Sequence, residues 1–181
     1  MTFDITPQEV DSFEGRFYRP IAISGPITLA RFSDSGRGDR GRYGRFWLYG
    51  DYVAELAGLG GSAFALLKEI AQRWAICDDW GDKKLLTLMD VPPGRSVPAM
   101  VGKAKFQPKV SPTGGRATRR SYEGGALQLV IPVVDTDRNL DPTLALLVTR
   151  KTTTVQLLGN PARCLENPWV TAQRAKGANL R

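Results

Sequence analysis

The sequence predicts an α+β fold built mostly from antiparallel strands, with a few helices. Three observations point there. The 181 residues include 12 prolines and 19 glycines, which punctuate the chain into short elements and argue against a helical bundle. Strand-like apolar stretches fall early and late, around one strong helical stripe in the middle. No regular helical crossovers separate the strands, so a doubly wound parallel sheet is not expected. The length fits one domain, placed at 17–160, with a lead-in segment at 1–16 and a partly ordered tail at 161–181.

The elements follow in order. Thr6-Pro7 before Gln8, Glu9 and Val10 predicts one or two helical turns, with proline at the first helical position. Phe17–Ile23 is apolar and aromatic, interrupted by Arg19 and Pro20. Ile27–Phe32 is the first clear strand. Its alternation sets Ile27, Leu29 and Arg31 on one face and Thr28, Ala30 and Phe32 on the other. Residues 33–45 form a loop with four glycines, four arginines and two aspartates. Phe46–Tyr49 then reads as a short aromatic strand or packed turn. A helix is expected over 51–59 on Tyr52, Val53, Leu56 and Leu59, stopped by Gly60-Gly61. Ser62 caps the strongest helix, 63–76, whose stripe is Phe64, Leu67, Ile70, Ala71 and Trp74. Strands are expected at Leu85–Val91, Val101–Phe106 and Leu127–Val134, with a turn at Pro92-Pro93-Gly94. Leu144–Val148 and Thr153–Leu158 are expected to form a last strand pair, joined by residues 149–152.

Composition narrows the chemistry. There is no histidine, which removes serine-histidine and cysteine-histidine nucleophile arrangements and histidine general bases. Cys77 and Cys164 are the only cysteines, too few for a zinc constellation of the usual kind, and they read as free thiols of a reducing compartment. No run of 18 apolar residues is present, and MTFDITPQEV lacks the pattern of a conventional signal peptide. The formal charge of +7 suits nucleic acid, an anionic small ligand or an acidic protein partner. The basic residues are spread over 37–45, 103–120, 150–151 and 163–181, without a nucleic-acid-binding module.

Two loops carry the chemical signal. Arg31 ends an apolar strand beside a glycine- and arginine-rich loop. A buried arginine is costly unless paired, and such a loop is useful where backbone must come close to a ligand. The pairing suggests a pocket for an anion. The second stretch is Tyr122-Glu123-Gly124-Gly125-Ala126-Leu127-Gln128. Here a carboxylate sits in a glycine turn, and an amide starts an apolar strand. Gln128 must find a hydrogen-bond partner, face a cleft, or lie on an exposed sheet face.

Three pieces, in this order, resemble NAD-consuming domains of bacterial polymorphic toxins, which have the ADP-ribosyltransferase-like fold. ITLARFSD followed by GRYGRFW is similar to an arginine-bearing first strand and a glycine-then-aromatic second segment. LLTLMDVPPGRSVPAMVGKA is similar to a strand, a proline-glycine turn and a return strand ending in glycine. GGALQLVIP is similar to the glycine-glycine-x-x-glutamine strand of the tuberculosis necrotising toxin group. The resemblance covers roughly residues 25–134.

It implies a single domain of split, mostly antiparallel sheets, with NAD as substrate and no metal. Arg31 would hold an NAD phosphate by a charge-assisted bond. Gly44 and Phe46, with Trp47 beside them, would shape the nicotinamide pocket. Gln128 would be the catalytic glutamine, at a place where transferases usually have glutamate. Glu123 lies five residues earlier, unlike the transferases' glutamate-x-glutamate pattern, and would polarise an acceptor nucleophile. The missing histidine departs from the diphtheria-like branch and also from the necrotising toxin group. The implied activity is cleavage of the nicotinamide–ribose bond, with transfer of ADP-ribose to a protein or RNA acceptor. NAD glycohydrolysis is the alternative. The implied setting is the cytoplasm of a target cell, reached by a secretion system, with an acidic immunity protein in the producer.

Two other classes stay open on the residues. Arginine-rich loops at 37–45 and 116–120, with Asp78, Asp79, Asp82 and Asp90, would suit a nucleic-acid-binding or metal nuclease domain. A structural or interaction protein needs no site at all.

Overall fold

The computed structural model describes residues 3–36, 43–76, 82–107, 121–135 and 137–172. The chain is a mixed α+β protein. It has a seven-stranded sheet in the order β1-β5-β6-β3-β2-β4-β7, with every pairing antiparallel. The strands are β1 (Arg19–Ser24), β2 (Ile27–Ser33), β3 (Phe46–Tyr49), β4 (Leu85–Val91), β5 (Ser96–Lys103), β6 (Leu127–Val130) and β7 (Val148–Thr153). The helices are α1 (Pro7–Asp11), α2 (Gly50–Gly58), α3 (Ala63–Arg73), α4 (Pro142–Ala145), α5 (Thr154–Gly159) and α6 (Pro161–Leu165).

Strand β3 is short and joins the two halves of the sheet. Its first residues, Phe46 and Trp47, pair with Val130 and Leu129 of β6. Its last ones, Leu48 and Tyr49, pair with Ala30 and Leu29 of β2. Arg31, Phe32 and Ser33 continue pairing with β4 but have no β3 partner beyond Ala30. The sheet therefore parts between the end of β2 and the start of β3.

The two sheet faces carry separate cores, as the strand alternation requires. Leu29, Trp47, Met89, Val101 and Leu129 share one cluster. Ala30, Phe32, Leu48, Leu86 and Leu88 share the other, where α2 and α3 cover them with Val53, Leu56, Leu66 and Ile70. On α3 the buried stripe is shifted from the expected one. Leu66 is inside and Phe64 is 71% exposed, because the helix packs on Leu66, Ile70 and Ala71.

The lead-in segment is packed into the domain. Thr6 caps α1 through a capping box with Glu9, and Pro7 opens the helix. Phe13 is wholly buried with Met100 and Val130. A Cβ on Gly102 would come within 2.4 Å of the Phe13 ring, so the aromatic fits only because β5 has a glycine there.

The last expected strand pair is corrected. Residues 149–152, expected as a turn, lie inside β7, and the flanking segments are helical. Asp141 caps α4 with Pro142 at its first position, and Thr153 with Gln156 forms a capping box for α5. These local caps outweigh the β-branched composition. Strand β5 begins at Ser96 rather than Val101, because β1 supplies a partner from Ser24↔Ser96 onward.

An ion pair between buried Asp90 and half-buried Arg150 ties β4, β7 and the C-terminal helices. Asp90, 2% exposed, accepts bonds from Arg150 Nε and Nη2 at 2.6 Å each, from Thr28 Oγ1 at 2.7 Å and from Thr149 Oγ1 at 2.6 Å. Arg150 also donates to the carbonyls of Cys164 and Glu166. Asn167 Nδ2 donates to the carbonyls of Ile27 and Val91, so the start of the tail is anchored across β2 and β4.

Candidate functional site

The parting of the sheet opens a cleft of about 790 Å³, within the roughly 300–1,000 Å³ usual for small-molecule sites. Its walls come from β2, the 43–46 segment, the end of α3, the 134–140 loop and α1. Phe32, Phe46, Leu48, Trp74 and Ile76 supply apolar surface. Four cationic side chains (Arg31, Arg45, Lys83 and Arg138) and three carboxylates (Glu9, Asp34 and Asp135) supply charge.

Some of these charges are matched in place. Arg45 Nε lies 2.7 Å from Glu9 Oε1, with both side chains buried, and Arg45 also donates to the Asp4 carbonyl. The Phe3 ring lies against the same guanidinium at 5.7 Å. Asp135 accepts from the Asn139 side chain and backbone, which hold its carboxyl below the usual range. Across the whole lining the four cations outnumber the three carboxylates, a balance suited to an anionic ligand.

Arg31 is set by its neighbours. Its Nη1 donates to the Phe46 carbonyl at 3.3 Å. A Cβ on Gly44 would fall 2.3 Å from Arg31 Cζ, so the guanidinium lies where only a glycine backbone leaves room. Trp47 stands behind this wall. It is wholly buried and its Nε1 donates to the Gly44 carbonyl at 2.7 Å, fixing the glycine from the far side.

Gln128 reaches the cleft from β6. Its Nε2 donates to both the carbonyl and the Oγ of Ser12, at 2.9 Å each. The Gly124-Gly125 turn aims the strand. Both residues have positive φ, and they are tied by Gly124 N–H to the Gln72 carbonyl and Gly125 N–H to the Ala104 carbonyl. By alternation Arg31 shares a face with Leu29, and Gln128 lies opposite Leu129. They line one cleft because the sheet parts between their strands.

The structure thus brings Arg31, Gly44, Phe46 and Gln128 onto one set of walls. Trp47 supports that wall without lining it. Glu123 is exposed, stands outside the cleft lining, and its N–H donates to Gln72 Oε1. Glu9, Ser12, Arg45, Lys83 and Arg138 join the site with no motif that marks them as site residues in the sequence. Only Glu9 left a local signal, as the last residue of the Thr6-x-x-Glu9 capping box.

The nuclease alternative gains no metal centre among the described residues, where no cluster of ligating side chains occurs. Asp90 is spent on Arg150. Asp78, Asp79, Cys77 and the arginines at 37, 40, 42 and 116–120 lie outside the described residues. Cys164 is a half-buried free thiol.

Asp82 holds the loop after β2. Burial disfavours its charge, but Ser35 donates both its hydroxyl and its N–H, and Lys84 its N–H, so its pKa is lowered to about 2. A carboxyl depressed in the folded state stabilises above its ordinary pKa, and that contribution is lost as pH falls toward the folded value. The wild type is therefore expected to lose its thermal-stability advantage over Asp82→Asn between about pH 4 and pH 2. Melting curves of both proteins across that range check it.

No helix among the described residues is long and apolar enough to cross a membrane. Comparison with protein-family models, curated proteins and solved structures finds no match to this chain.

Proposed function

We propose that the cleft binds NAD and that the protein cleaves its nicotinamide–ribose bond. The observation that carries this reading is the convergence of Arg31 and Gln128, from strands far apart in sequence, on one cleft of suitable size. In the ADP-ribosyltransferase-like fold that the sequence resembles, these positions are the phosphate-binding arginine and the ribose-binding residue.

The chemistry asks little of the protein's acids and bases. The nicotinamide nitrogen is cationic in NAD, so the ring leaves as a neutral molecule once the bond to ribose breaks. The bond's electron pair goes to the departing nitrogen, and C1′ becomes oxocarbenium-like until an acceptor oxygen or nitrogen attacks it. The protein has to hold the dinucleotide bent, favour the developing positive charge and align the acceptor. Arg31 grips the pyrophosphate, the Phe46 wall confines the nicotinamide, and Gln128 accepts a hydrogen bond from a ribose hydroxyl. No histidine is needed for these tasks.

The acceptor divides the reading in two. Glu123, the carboxylate that favours transfer to a protein or RNA, stands outside the cleft lining. Water therefore becomes the acceptor that the cleft serves best, with release of ADP-ribose. Transfer is the second reading, supported by the chain's +7 charge as a means of recruiting an acidic acceptor. A toxin-like role in a target cell's cytoplasm, restrained by an acidic immunity protein, fits either outcome.

Incubation with NAD labelled separately in its nicotinamide and adenine portions, with and without cell lysate, tests the proposal. Free nicotinamide together with free ADP-ribose supports hydrolysis. Free nicotinamide with adenine label retained on a macromolecule supports transfer. Intact NAD under both conditions refutes the enzyme reading. Glu123→Gln is expected to leave hydrolysis unchanged within about twofold.

A further inference from the structure

We propose that Ser12 is a positioning residue, which fixes the Gln128 amide so that its carbonyl oxygen is the atom offered to the substrate. This rests on the NAD-cleavage reading and adds a requirement on a part of the chain 116 residues away.

The amide orientation follows from the donors and acceptors around it. Gln128 Nε2 lies 2.9 Å from Ser12 O, which can only accept. It lies 2.9 Å from Ser12 Oγ as well. That hydroxyl gives its own proton to the Glu9 carbonyl at 2.6 Å, so toward Gln128 it also accepts. Two acceptors on one side of the amide require the nitrogen there, and both of its N–H groups are used. Oε1 is what remains of the amide, on a side chain that is 94% buried and lines the cleft.

The support is stiff. Ser12 O accepts a second bond from Lys105 N–H at 2.8 Å, and Ser12 N–H donates to the Gln8 carbonyl at 3.0 Å. The next residue, Phe13, is wholly buried and bridges to Ala104. An acceptor held in this way orients a ribose hydroxyl without reorganising when positive charge grows at C1′.

The same geometry makes glutamine and glutamate non-equivalent at position 128. A carboxylate has no N–H to give: the Ser12 carbonyl would repel it, and the Ser12 hydroxyl could donate to it only by turning its proton away from the Glu9 carbonyl. The charged form would be repelled and the oxygen no longer fixed. Gln128→Glu is therefore expected to fall to the level of Gln128→Ala, although it keeps the size and an acceptor.

The test compares the full chain with Ser12→Ala, Ser12→Thr, Gln128→Ala, Gln128→Glu and the double variant Ser12→Ala/Gln128→Ala. Nicotinamide release is one readout. Hydrogen exchange of the Gln128 side-chain amide, followed by NMR in glutamine-labelled protein, is the other. Ser12→Ala is expected to lower kcat roughly tenfold with KM within about twofold, and to speed amide exchange by a similar factor. Ser12→Thr keeps the hydroxyl and should retain both properties. The double variant should be no worse than Gln128→Ala alone, because Ser12 acts only through that amide.

Unchanged kcat in Ser12→Ala, additive losses in the double variant, or full activity in Gln128→Glu would overturn the role of Ser12 while leaving NAD cleavage standing. A wild type that releases no nicotinamide overturns the enzyme reading. In that case equal amide exchange in wild type and Ser12→Ala overturns the positioning contact too.

Discussion

Arg31→Ala should lower kcat/KM for nicotinamide release by roughly 100-fold or more, while the thermal midpoint stays within a few degrees of wild type. The side chain is half-buried on the cleft wall and donates to the Phe46 carbonyl at 3.3 Å. Its loss removes the charge proposed to meet the pyrophosphate without emptying either core. Arg31→Lys should recover only part of the activity, since a point charge replaces a planar fork. Gly44→Ala provides a complementary test, because it leaves the arginine in the chain. The added methyl would fall 2.3 Å from Arg31 Cζ and must drive the guanidinium aside. A loss comparable to that of Arg31→Ala is expected. Steady-state kinetics and melting curves on the three variants check this. Wild-type turnover in both Arg31→Ala and Gly44→Ala would remove the arginine from the site.

Asp90→Ala should destabilise the protein by about 3 kcal/mol, the low end of the cost of stripping one partner from a buried pair, because the Arg150 side chain left behind is 27% exposed. Arg150 would be left with its charge against the sheet, and Thr28 and Thr149 would lose their acceptor. For a chain of this size that corresponds to a fall in melting temperature of roughly 10 °C. Asp90→Asn should be milder, because it keeps the shape and one acceptor. Arg150→Met should cost at least as much as Asp90→Ala, since it leaves a carboxylate that is 2% exposed with only its two hydroxyl donors. Thermal and urea unfolding of the three variants check the order. If all three melt with the wild type, the ion pair does not hold the C-terminal helices to the sheet.

Strands β2, β3 and β4 are legible in the sequence because their signal is local. Ile27–Phe32 alternates, Leu85–Val91 is a mostly apolar run, broken only by Thr87 and Asp90 and bounded by a turn, and both strands are paired on each side within the sheet. Helix α1 is legible from its cap and proline. The end of the chain misleads because Thr149, Thr152 and Thr153 look alike by propensity. Only the capping box at Thr153 and Gln156 separates strand from helix there.

The candidate site divides in the same way. Arg31 and Gln128 stand out as polar residues in apolar strands. That they share a cleft is set by where β3 changes partner, which no local pattern records. Trp47 is adjacent in sequence to the wall residues, yet strand alternation turns it into the core. Glu123 reads as a carboxylate beside a glycine turn, but that turn is held by Gln72 and leaves the side chain facing outward. The Ser12–Gln128 contact spans almost two-thirds of the chain, a distance at which sequence spacing carries no information.

The measurement that bears most directly on the central claim is nicotinamide release from NAD by the purified wild-type chain, beside Gln128→Ala purified in the same way. Release by the wild type is expected, with ADP-ribose formed in step, and a loss of roughly 100-fold or more in the variant. Intact NAD with both proteins, or equal release by both, would contradict it.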